Sequence, residues 1–444
     1  MPTSIGLAPG PRGLPVVGLL PQMRRDAPGT LLSAQRTFGD AVTLPVAGRR
    51  LLLLSDPDGV REVLQDRSKL YRKGRGLQKT RELLGDGLLT SEGDTWLRQR
   101  RLAQPAFHRE RLARMAQGMA EVTGRQLLTP LREASRARDT PDLAGLLTGL
   151  TLSVVARALF GAQVADADLR VVERSMPPVL ARALARSRSL GDWPPLPTPA
   201  ERRARAAAAE LDRVVNGLTS ARRTRPDDTE GDDLLGMLLA ATGEDGGMSD
   251  RQLRDEVMTL FLAGHETTAS LLASLFWFIG ERPEVRAEVE AELDGVNSIG
   301  ADSVRTLPYL MACIHESLRL SPPAWAIPRE ALEDDELLGY RVPRGGTVLI
   351  SPYVLHRHQD FWDAPEVFRP GRFLEPDTRP SHAYLPFGAG PRGCIGNNFA
   401  LMEAAIIAGL TLREFRLTPL GPLRMQASIT LRPAGVARVR VTGR

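Results

Sequence analysis

A cysteine in a glycine-rich turn is the first residue of this sequence whose surroundings suggest chemistry. Cys394 lies in the stretch LPFGAGPRGCIG, residues 385–396, and the 444-residue chain has one other cysteine, Cys313. Two cysteines are too few for a disulfide framework, which indicates a reducing compartment and makes each thiol a question about chemistry. Cys313, inside the segment YLMACIHESL, fits the simpler interpretation of a small buried hydrophobic residue.

The residues that follow Cys394 are predicted to form a helix, which places the cysteine at or just before a helix N-terminus. Backbone N–H groups and the positive end of the helix dipole favour a thiolate over a thiol at such a position. Glycines at positions 388, 390, 393 and 396 permit backbone conformations and close approaches that a β-carbon would forbid. Such a turn can direct amides towards the sulfur and hold a flat cofactor across it.

Three kinds of site could use this thiolate. A structural zinc site lacks partners, because no second cysteine or histidine lies at ligand spacing and the nearest histidine is His382. A cysteine nucleophile needs a base, and the sequence offers no clear partner motif for one. An axial ligand to haem iron requires only the single cysteine.

A second group of polar residues interrupts a long apolar helix. Ser249 and Gln252 form a predicted capping box, and Gly280 with Pro283 supplies the stop, so about 30 residues form a helix of roughly 45 Å. Its middle, MTLFLAGHETTASLLASLFWF, is apolar on nearly every side, which predicts a buried helix. Buried polar groups are costly unless they are paired or used. The polar residues in question are His265, Glu266, Thr267 and Thr268.

An acidic and a basic residue lie one turn apart on another predicted helix. Glu316 and Arg319, on the helix between Thr306 and Pro322, share a face and can pair. Taken alone, they are most simply a solvated surface pair worth a few tenths of a kcal/mol.

Composition and charge exclude several classes of function. The formal net charge is +5, but the cations are dispersed, which argues against a nucleic-acid-binding protein. The first 20 residues are rich in proline and glycine and lack both a charged n-region and an uninterrupted apolar run. We therefore expect no membrane span and a cytoplasmic location.

The order of elements predicts a mainly α fold with a smaller β portion. Residues 41–57 resemble a hairpin, residues 58–320 are mostly helical, and strand-like segments return within residues 340–444. The polar stretches at residues 222–233 and 243–250 lie between helix-like segments, and no repeat is visible. The sequence therefore predicts a single domain over residues 1–444.

The cysteine turn resembles the haem-binding loop of the cytochrome P-450 superfamily, F-x-x-G-x-R-x-C-x-G, followed by A-x-x-E. Three other stretches are similar to the same family in the correct order: AGHETT at 263–268, ESLR at 316–319 and PEVFRPGRF at 365–373. Gly371 departs from the pattern, because the family commonly has an acidic residue there. The loop residues that carry the resemblance are Phe387, Gly388, Gly390, Arg392, Cys394 and Gly396.

The resemblance implies a single-domain cytochrome P-450 fold, in which a long central helix crosses a helical domain and haem lies between it and the cysteine-loop helix. Haem b is the implied cofactor, with Cys394 as the axial ligand of its iron, the only metal expected. Glu316, Arg319 and Arg372 would then form a buried structural network. The other residues implied in cofactor binding are Ala263 and Gly264 together with the propionate donors Trp96, Arg100, Arg329 and Arg392.

Thr267 has both a structural and a functional interpretation. A mid-helix threonine can bond back to the carbonyl of Ala263 and bend the helix. The functional interpretation uses a local distortion at Ala263 and Gly264 that opens a cleft for dioxygen. Thr267 would donate a hydrogen bond to the bound oxygen, and Glu266 would relay protons from solvent. We favour this interpretation, because a carboxylate beside a hydroxyl in an apolar helix is hard to explain by packing.

The implied activity is that of a haem-thiolate monooxygenase that activates O2 and hydroxylates or epoxidises a lipophilic small molecule. Terpenoids, carotenoids, fatty acids and polyketides are the substrate classes considered. No phosphate-binding loop or iron–sulfur cysteine set is present, so a separate ferredoxin or flavodoxin with an NAD(P)H-dependent reductase would supply two electrons to a monomeric enzyme. The implied pocket residues are Leu262, Ala263, Ala326, Ile327 and Ile429.

Two alternatives from other classes stay open on the sequence. A haem-thiolate isomerase, dehydratase or peroxygenase would need neither O2 nor electrons, and a haem sensor or carrier would not be a catalyst. Neither has a use for a proton relay, so the combination of Glu266 and Thr267 favours the monooxygenase.

Overall fold

The computed structural model of the chain describes residues 6–161, 164–187, 198–224, 233–240 and 248–444. Most of the two polar stretches expected as loops, residues 222–233 and 243–250, lies outside this part of the chain. The helices are α1 (Leu20–Phe38), α2 (Pro57–Arg61), α3 (Arg75–Gln78), α4 (Arg81–Leu84), α5 (Gly93–Ala103), α6 (Arg109–Thr123), α7 (Thr129–Ala137), α8 (Leu143–Phe160), α9 (Asp166–Ser187), α10 (Pro199–Arg223), α11 (Leu234–Ala240), α12 (Asp250–Gly280), α13 (Pro283–Asp294), α14 (Ser303–Thr306), α15 (Pro308–Leu320), α16 (Pro352–Leu355) and α17 (Asn397–Glu414). The strands are β1 (Ala41–Val46), β2 (Arg49–Leu54), β3 (Tyr71–Lys73), β4 (Ile327–Ala331), β5 (Asp335–Leu337), β6 (Tyr340–Val342), β7 (Thr347–Ile350), β8 (Phe415–Pro419), β9 (Met425–Ala427), β10 (Leu431–Pro433) and β11 (Val439–Gly443). The mainly α fold with a smaller β portion is confirmed.

The chain packs as two compact units, each made of separate segments. The first comprises Met1–Arg75, His315–Cys394 and Met425–Arg432, and the second comprises Gly76–Ile314, Ile395–Arg424 and Pro433–Arg444.

A five-stranded sheet in the order β1-β2-β7-β4-β3 is the framework of the first unit. The predicted hairpin is confirmed: β1 pairs antiparallel with β2, and Ala47 and Gly48 form its turn with φ of 51° and 74°. Strand β2 pairs parallel with β7, while β4 pairs antiparallel with both β7 and β3. Leu53 of β2 packs into one core cluster and Leu54 into another, so this sheet buries apolar residues on both faces.

Helix α12 runs through the core of the second unit. Ser249 and Gln252 form the predicted capping box, and the helix spans 31 residues before it ends at Gly280. Helices α8, α10 and α17 pack against it. By length and composition alone α8 could cross a membrane, but 67% of it is buried inside the protein, as in a core helix.

Two predictions of strand positions need correction. Short strands β3, β4 and β5 lie outside the ranges 41–57 and 340–444 that were expected to hold the β portion. The segment TVLISPYVL, residues 347–355, was one of the strand-like segments expected within residues 340–444, but it forms a strand only as far as Ile350. Ser351 then accepts a hydrogen bond from the Val354 N–H, which starts the short helix α16.

Candidate functional site

The glycine-rich turn of the first unit exposes the thiol of Cys394. Cys313, by contrast, is completely buried. The Cys394 N–H donates to the Phe387 carbonyl at 2.8 Å, which closes the turn across the intervening glycines. Helix α17 begins three residues later, at Asn397, so the sulfur lies just ahead of a helix start. The two cysteines of the chain therefore lie in opposite environments, one exposed at a helix start and one in the core.

The shape of the turn requires glycine at two positions. Gly388 and Gly390 have φ of 69° and 66°, in the left-handed region that favours glycine. A Cβ at Gly390 would also lie 2.0 Å from the Leu64 carbonyl oxygen, whereas nothing lies closer than 3.9 Å to one at Gly388. Close approach to the chain at Leu64 therefore adds a second constraint at Gly390.

Two side chains anchor this turn to the rest of the first unit. Arg392 donates to the Ser68 carbonyl at 2.9 Å, and the Leu385 N–H donates to Nε2 of the buried His356 at 2.8 Å. Nδ1 of His356 lies 3.3 Å from the Arg319 carbonyl. Because Nε2 must accept the Leu385 proton, His356 is the neutral tautomer that carries its proton on Nδ1. Burial, reinforced by nearby arginines, holds the pKa of His356 well below its usual value.

Arg319 uses all five of its N–H groups in a fully buried site. Its Nε and one terminal nitrogen donate to the Glu316 carboxylate at 2.7 and 2.8 Å. The remaining donors reach the carbonyls of His356, Pro365 and Val367 at 2.8, 2.6 and 3.0 Å. The pair is therefore part of the protein interior and not the solvated surface pair that its spacing alone suggested.

Arg372 completes this network despite the unusual residue before it. Its Nε lies 3.2 Å from Glu316 Oε1, and its Nη1 donates to the Asp363 carbonyl at 2.9 Å. A Cβ at Gly371 would meet nothing within 4 Å, so glycine at this position leaves the contacts of Arg372 in place.

The other residues of the first unit that were expected to bind the cofactor or to line the pocket lie on β4, directly before it, or in the segment of Ile429. Arg329 is 9% exposed, while Ala326, Ile327 and Ile429 are half-buried. Trp325 Nε1 donates to the Ser428 carbonyl at 3.3 Å, and the Leu431 N–H donates to the Pro323 carbonyl at 2.9 Å. These bonds join the segment of Ala326 and Ile327 to the segment of Ile429.

Between Asp255 and Trp277, helix α12 of the second unit is buried except along one stripe. Ala263 is exposed, and Leu260, Gly264 and Thr267 are half-buried, at spacings that place them on one face. Leu262, the other expected pocket residue on this helix, is 6% exposed and lies off the stripe. A buried helix with one open stripe of small residues can line a cavity.

Thr267 Oγ1 donates to the Ala263 carbonyl at 2.5 Å, as the structural interpretation expected. Every residue of α12 has regular α-helical geometry, so the distortion expected at Ala263 and Gly264 is not present. A threonine back-bond is compatible with regular helix geometry, since it adds to the backbone bond without replacing it. Because a hydroxyl has one proton, Thr267 in this rotamer offers only acceptor lone pairs to a further partner.

Helix α8 packs closely against α12 through two contacts, at Gly264 and at His265. A Cβ at Gly264 would lie 2.5 Å from Val155 Cγ2, so glycine permits the close approach of the two helices. Thr151 Oγ1 donates to the His265 carbonyl at 2.8 Å. Glu266 is 9% exposed. Gly264 thus has a packing role that the sequence analysis did not assign.

Glu403 is a buried acid whose environment the sequence analysis did not foresee. It lies on α17, is completely buried, and has Thr268 of α12 nearby. Burial raises the pKa of Glu403 to about 8. The nearby Thr268 hydroxyl acts in the opposite direction and lowers this pKa in part, although neither carboxylate oxygen has a partner within hydrogen-bond geometry. Glu403 is therefore mainly protonated at neutral pH. Its signal in the sequence was a lone carboxylate in the apolar run after Ala400.

The expected propionate donors are distributed over both units. Trp96 and Arg100 lie one turn apart on α5 of the second unit, and both are half-buried. Arg329 and Arg392 belong to the first unit. No cluster of three or more His, Cys, Asp or Glu side chains suited to a metal ion occurs among the residues that the structure describes. Within the first unit, the exposed cysteine in its shaped turn and the cations Arg329 and Arg392 fit a flat group that has one thiolate ligand and two carboxylates.

We predict that Arg319→Ala lowers the free energy of unfolding by about 3–5 kcal/mol, because it leaves the buried Glu316 carboxylate without its main partner. The control is Arg369→Ala. Arg369 is largely exposed and reaches Glu316 through its backbone N–H, which alanine retains, so the change should be below about 1 kcal/mol. Urea unfolding of both variants makes the comparison, and equal stabilities would contradict the assignment of the network.

Glu403→Gln tests the buried acid through the pH dependence of stability. Because the folded-state pKa of about 8 lies above the unfolded value of 4.5, this group stabilises the protein below pH 4.5 and loses that contribution as pH rises to 8. Between pH 4.5 and 8, the free energy of unfolding of the wild type should therefore fall by up to about 1.4 kcal/mol per pH unit relative to that of Glu403→Gln. Urea unfolding across the window measures this difference. Glu414→Gln, at the half-buried C-terminal end of the same helix, should keep the wild-type slope.

The sequence matches the cytochrome P450 family over residues 8–436. It is 35% identical to the cyclooctatin synthase of Streptomyces melanosporofaciens over 96% of this chain and 94% of that protein. It is 34% identical to the pentalenene oxygenase of Streptomyces avermitilis over 99% of this chain and 97% of that protein. The solved structure of retinoic acid-bound cyanobacterial CYP120A1 superposes with a TM-score of 0.86 at 26% identity, over 99% of this chain and 100% of that one. The exposed cysteine in its glycine turn therefore belongs to a member of the cytochrome P450 family, and this chain is a cytochrome P450 monooxygenase.

Proposed function

We propose that this enzyme binds haem b through Cys394 and uses O2 and two externally supplied electrons to hydroxylate or epoxidise a terpenoid. Family membership implies a haem-iron cofactor. The observation that carries the proposal is the exposed Cys394 thiol in a turn held by glycines, a buried histidine and Arg392. When bound, a haem with thiolate ligation supplies the activation of O2.

Residues of the cysteine turn would hold the cofactor. Gly388 and Gly396 let the backbone come close to a flat ring, and the half-buried Phe387 supplies apolar contact. Trp96, Arg100, Arg329 and Arg392 would donate to the propionates, since guanidinium and indole groups suit buried carboxylates. Their half-buried or buried positions support this role, because such donors are shielded from competing water.

Thr267 and Glu266 would handle protons on the open stripe of α12. The Thr267 hydroxyl donates to the Ala263 carbonyl, so it can accept a hydrogen bond without moving and can donate only after it releases that carbonyl. Glu266, the adjacent residue, is 9% exposed, which gives its carboxyl group limited contact with solvent. A hydroxyl and a carboxyl group in series can pass protons inward while apolar neighbours exclude bulk water.

The substrate class is proposed from the lining of α12 and from the relatives. Leu260 and Ala263 of the open stripe are aliphatic, as are Ala326, Ile327 and Ile429 of the first unit, so a lipophilic substrate suits them. The similar proteins include the cyclooctatin synthase, the pentalenene oxygenase and a cyclooctat-9-en-7-ol 5-monooxygenase. Among the lipophilic classes, these names favour a terpenoid over a carotenoid, fatty acid or polyketide.

Electrons would come from a separate ferredoxin or flavodoxin with its NAD(P)H-dependent reductase. Such carriers are acidic, and the surface of α5 and α6 offers a matching charge. Arg101, Arg109 and Arg114 are exposed there. Opposite charges on two surfaces speed their encounter and make the rate depend on salt. A monomer in the cytoplasm remains the expectation for the protein itself.

Cys394→Ser is the test of the haem-thiolate proposal. The wild type, reduced under carbon monoxide, should show the absorption band of a thiolate-ligated haem, and the serine variant should lose it while Cys313→Ser keeps it. Cys313 is the matched control because it is fully buried and lies on α15. A purified wild type that stays colourless after addition of hemin would overturn the proposal.

Thr267→Ala tests the proton relay. The variant should bind haem as the wild type does, but it should release more peroxide and yield several-fold less product per NADPH consumed, because a hydroxyl is missing from the proton path. Thr267→Ser keeps the hydroxyl and should behave nearly as the wild type. Unchanged product per electron in Thr267→Ala would show that Thr267 has no part in proton delivery.

A further inference from the structure

A short turn near the start of the first unit presents apolar side chains to solvent. Leu14 and Gly18 exchange two backbone hydrogen bonds, of 2.9 and 3.2 Å, and so hold Pro15, Val16 and Val17 at the tip of the turn. Val16, at 86%, is the most exposed large apolar side chain among the residues that the structure describes, and Leu14 and Val17 are exposed as well. Single apolar residues are common on protein surfaces, whereas three in one turn form a patch.

The turn holds Val16 in a costly backbone conformation. Its φ of 64° lies in the left-handed region, where glycine and asparagine are usual and a β-branched residue is an outlier. Contacts with the neighbouring chain keep the turn in place, since the Ala47 N–H donates to the Val17 carbonyl at 3.0 Å and the Leu19 N–H donates to the Pro45 carbonyl at 2.7 Å. An apolar side chain kept at a strained and exposed position indicates a use for it outside the folded unit.

Five exposed arginines belong to the two segments that form and support this turn. Residues 6–25 contain three of them and residues 41–50 the other two, and neither segment contains an acidic residue. The bond from Ala47 to Val17 brings the β1–β2 hairpin to the turn, and helix α1 begins two residues after Gly18. The arginines are Arg12, Arg24, Arg25, Arg49 and Arg50. Their formal charge of +5 equals that of the whole chain, so the apolar tip is bordered by concentrated positive charge.

This combination of side chains matches the surface of an anionic lipid bilayer. Apolar side chains enter the boundary between headgroups and acyl chains, while nearby arginines bind lipid phosphates and are attracted by the negative surface potential. A nucleic acid would bind the arginines but offers no apolar phase to a valine. A protein partner would need a patch of roughly 800 Å² on this side, which is more than three side chains offer. The tip and its charges together therefore favour a lipid surface.

We propose that the turn of residues 14–18 is a peripheral contact with membranes that contain anionic lipids. Leu14, Val16 and Val17 insert at the boundary of the headgroups, and the five arginines bind lipid phosphates. The turn lies on the bilayer without crossing it, because the apolar stretch of residues 14–20 is far too short to span. The contact goes beyond the proposed function and does not depend on it. A lipophilic substrate such as a terpenoid concentrates in bilayers, so the contact would place the enzyme beside its substrate.

The experiment measures flotation of the full-length protein with two kinds of vesicle, phosphatidylcholine alone and phosphatidylcholine mixed with an equal part of phosphatidylglycerol. Val16→Asn removes the apolar group but suits the left-handed backbone, so it should be at least as stable as the wild type to urea. Leu14→Gln is a second apolar variant, and its two hydrogen bonds with Gly18 are made by backbone atoms. The charge variant combines Arg24→Gln with Arg25→Gln.

Matched controls carry the same changes elsewhere on the surface. Val436→Asn alters a valine that is 62% exposed and lies far along the chain from the turn. Arg136→Gln combined with Arg138→Gln removes another pair of exposed arginines. Retention on immobilised heparin serves as the second measurement, because heparin is a polyanion without an apolar phase.

The wild type should float with the mixed vesicles at low salt and bind phosphatidylcholine alone at least about tenfold more weakly. Raising the salt from about 0.05 to about 0.5 M should weaken binding to the mixed vesicles. Val16→Asn and Leu14→Gln should each lower the vesicle partition coefficient by about tenfold while leaving heparin retention unchanged. The arginine variant should lower both, and the control variants should match the wild type in vesicle binding.

Vesicle binding that is unchanged in both apolar variants but lost in the arginine variant would overturn the inference. The attraction would then be one of charge alone, as for a nucleic acid or an acidic protein. A wild type that stays unbound to the mixed vesicles at low salt would overturn it as well. Should Val16→Asn fail to fold, Leu14→Gln still decides the question. None of these outcomes bears on the haem-thiolate proposal, which Cys394→Ser tests separately.

Discussion

The cysteine turn depends on one buried guanidinium group. Arg319 binds the Glu316 carboxylate and three carbonyls, and one of these carbonyls belongs to His356. His356 in turn accepts the Leu385 N–H, at the start of the stretch that leads to Cys394. The ion pair therefore fixes the residue that holds the turn. A lysine could not replace Arg319, since one ammonium group has three donors and no planar fork.

Helix α12 shows a different way to keep polar groups inside an apolar element. Its carboxylates Asp255 and Glu256 accept backbone N–H groups of a loop, whereas its Thr267 hydroxyl bonds back to the helix itself. The first arrangement brings another part of the chain to the helix. The second arrangement leaves the neighbouring surface open. A single helix thus both holds a loop in place and leaves an open stripe beside it.

Sequence patterns correctly predicted the structural elements that depend on residues close together in the chain. The capping box at Ser249 and the hairpin turn at Gly48 depend on residues a few positions apart, and both are present. The burial of Glu316 with Arg319 was not predictable from spacing, because an exposed pair has the same spacing. The family resemblance supplied that expectation. Whether Thr267 and Glu266 move protons, or Arg329 binds a propionate, remains a prediction.

What the sequence did not predict arises from contacts between distant segments. The docking of residues 85–91 joins positions about 170 apart, and no local pattern marks Asp255 as the acceptor of the Asp86 N–H. Glu403 acquires its raised pKa from the packing of α17 against α12, which a one-dimensional pattern does not contain. The distortion of α12 belonged to the functional interpretation of Thr267, yet the helix accommodates its threonine without a break.

The neutral state of His356 has one more consequence. Ordinary histidines gain a proton near pH 6.5, and a bond that uses the ring as an acceptor is lost when they do. Since burial and two arginines keep His356 unprotonated well below that point, mild acid leaves this acceptor intact. The sulfur-bearing turn thus keeps its attachment under conditions that would release a more exposed imidazole.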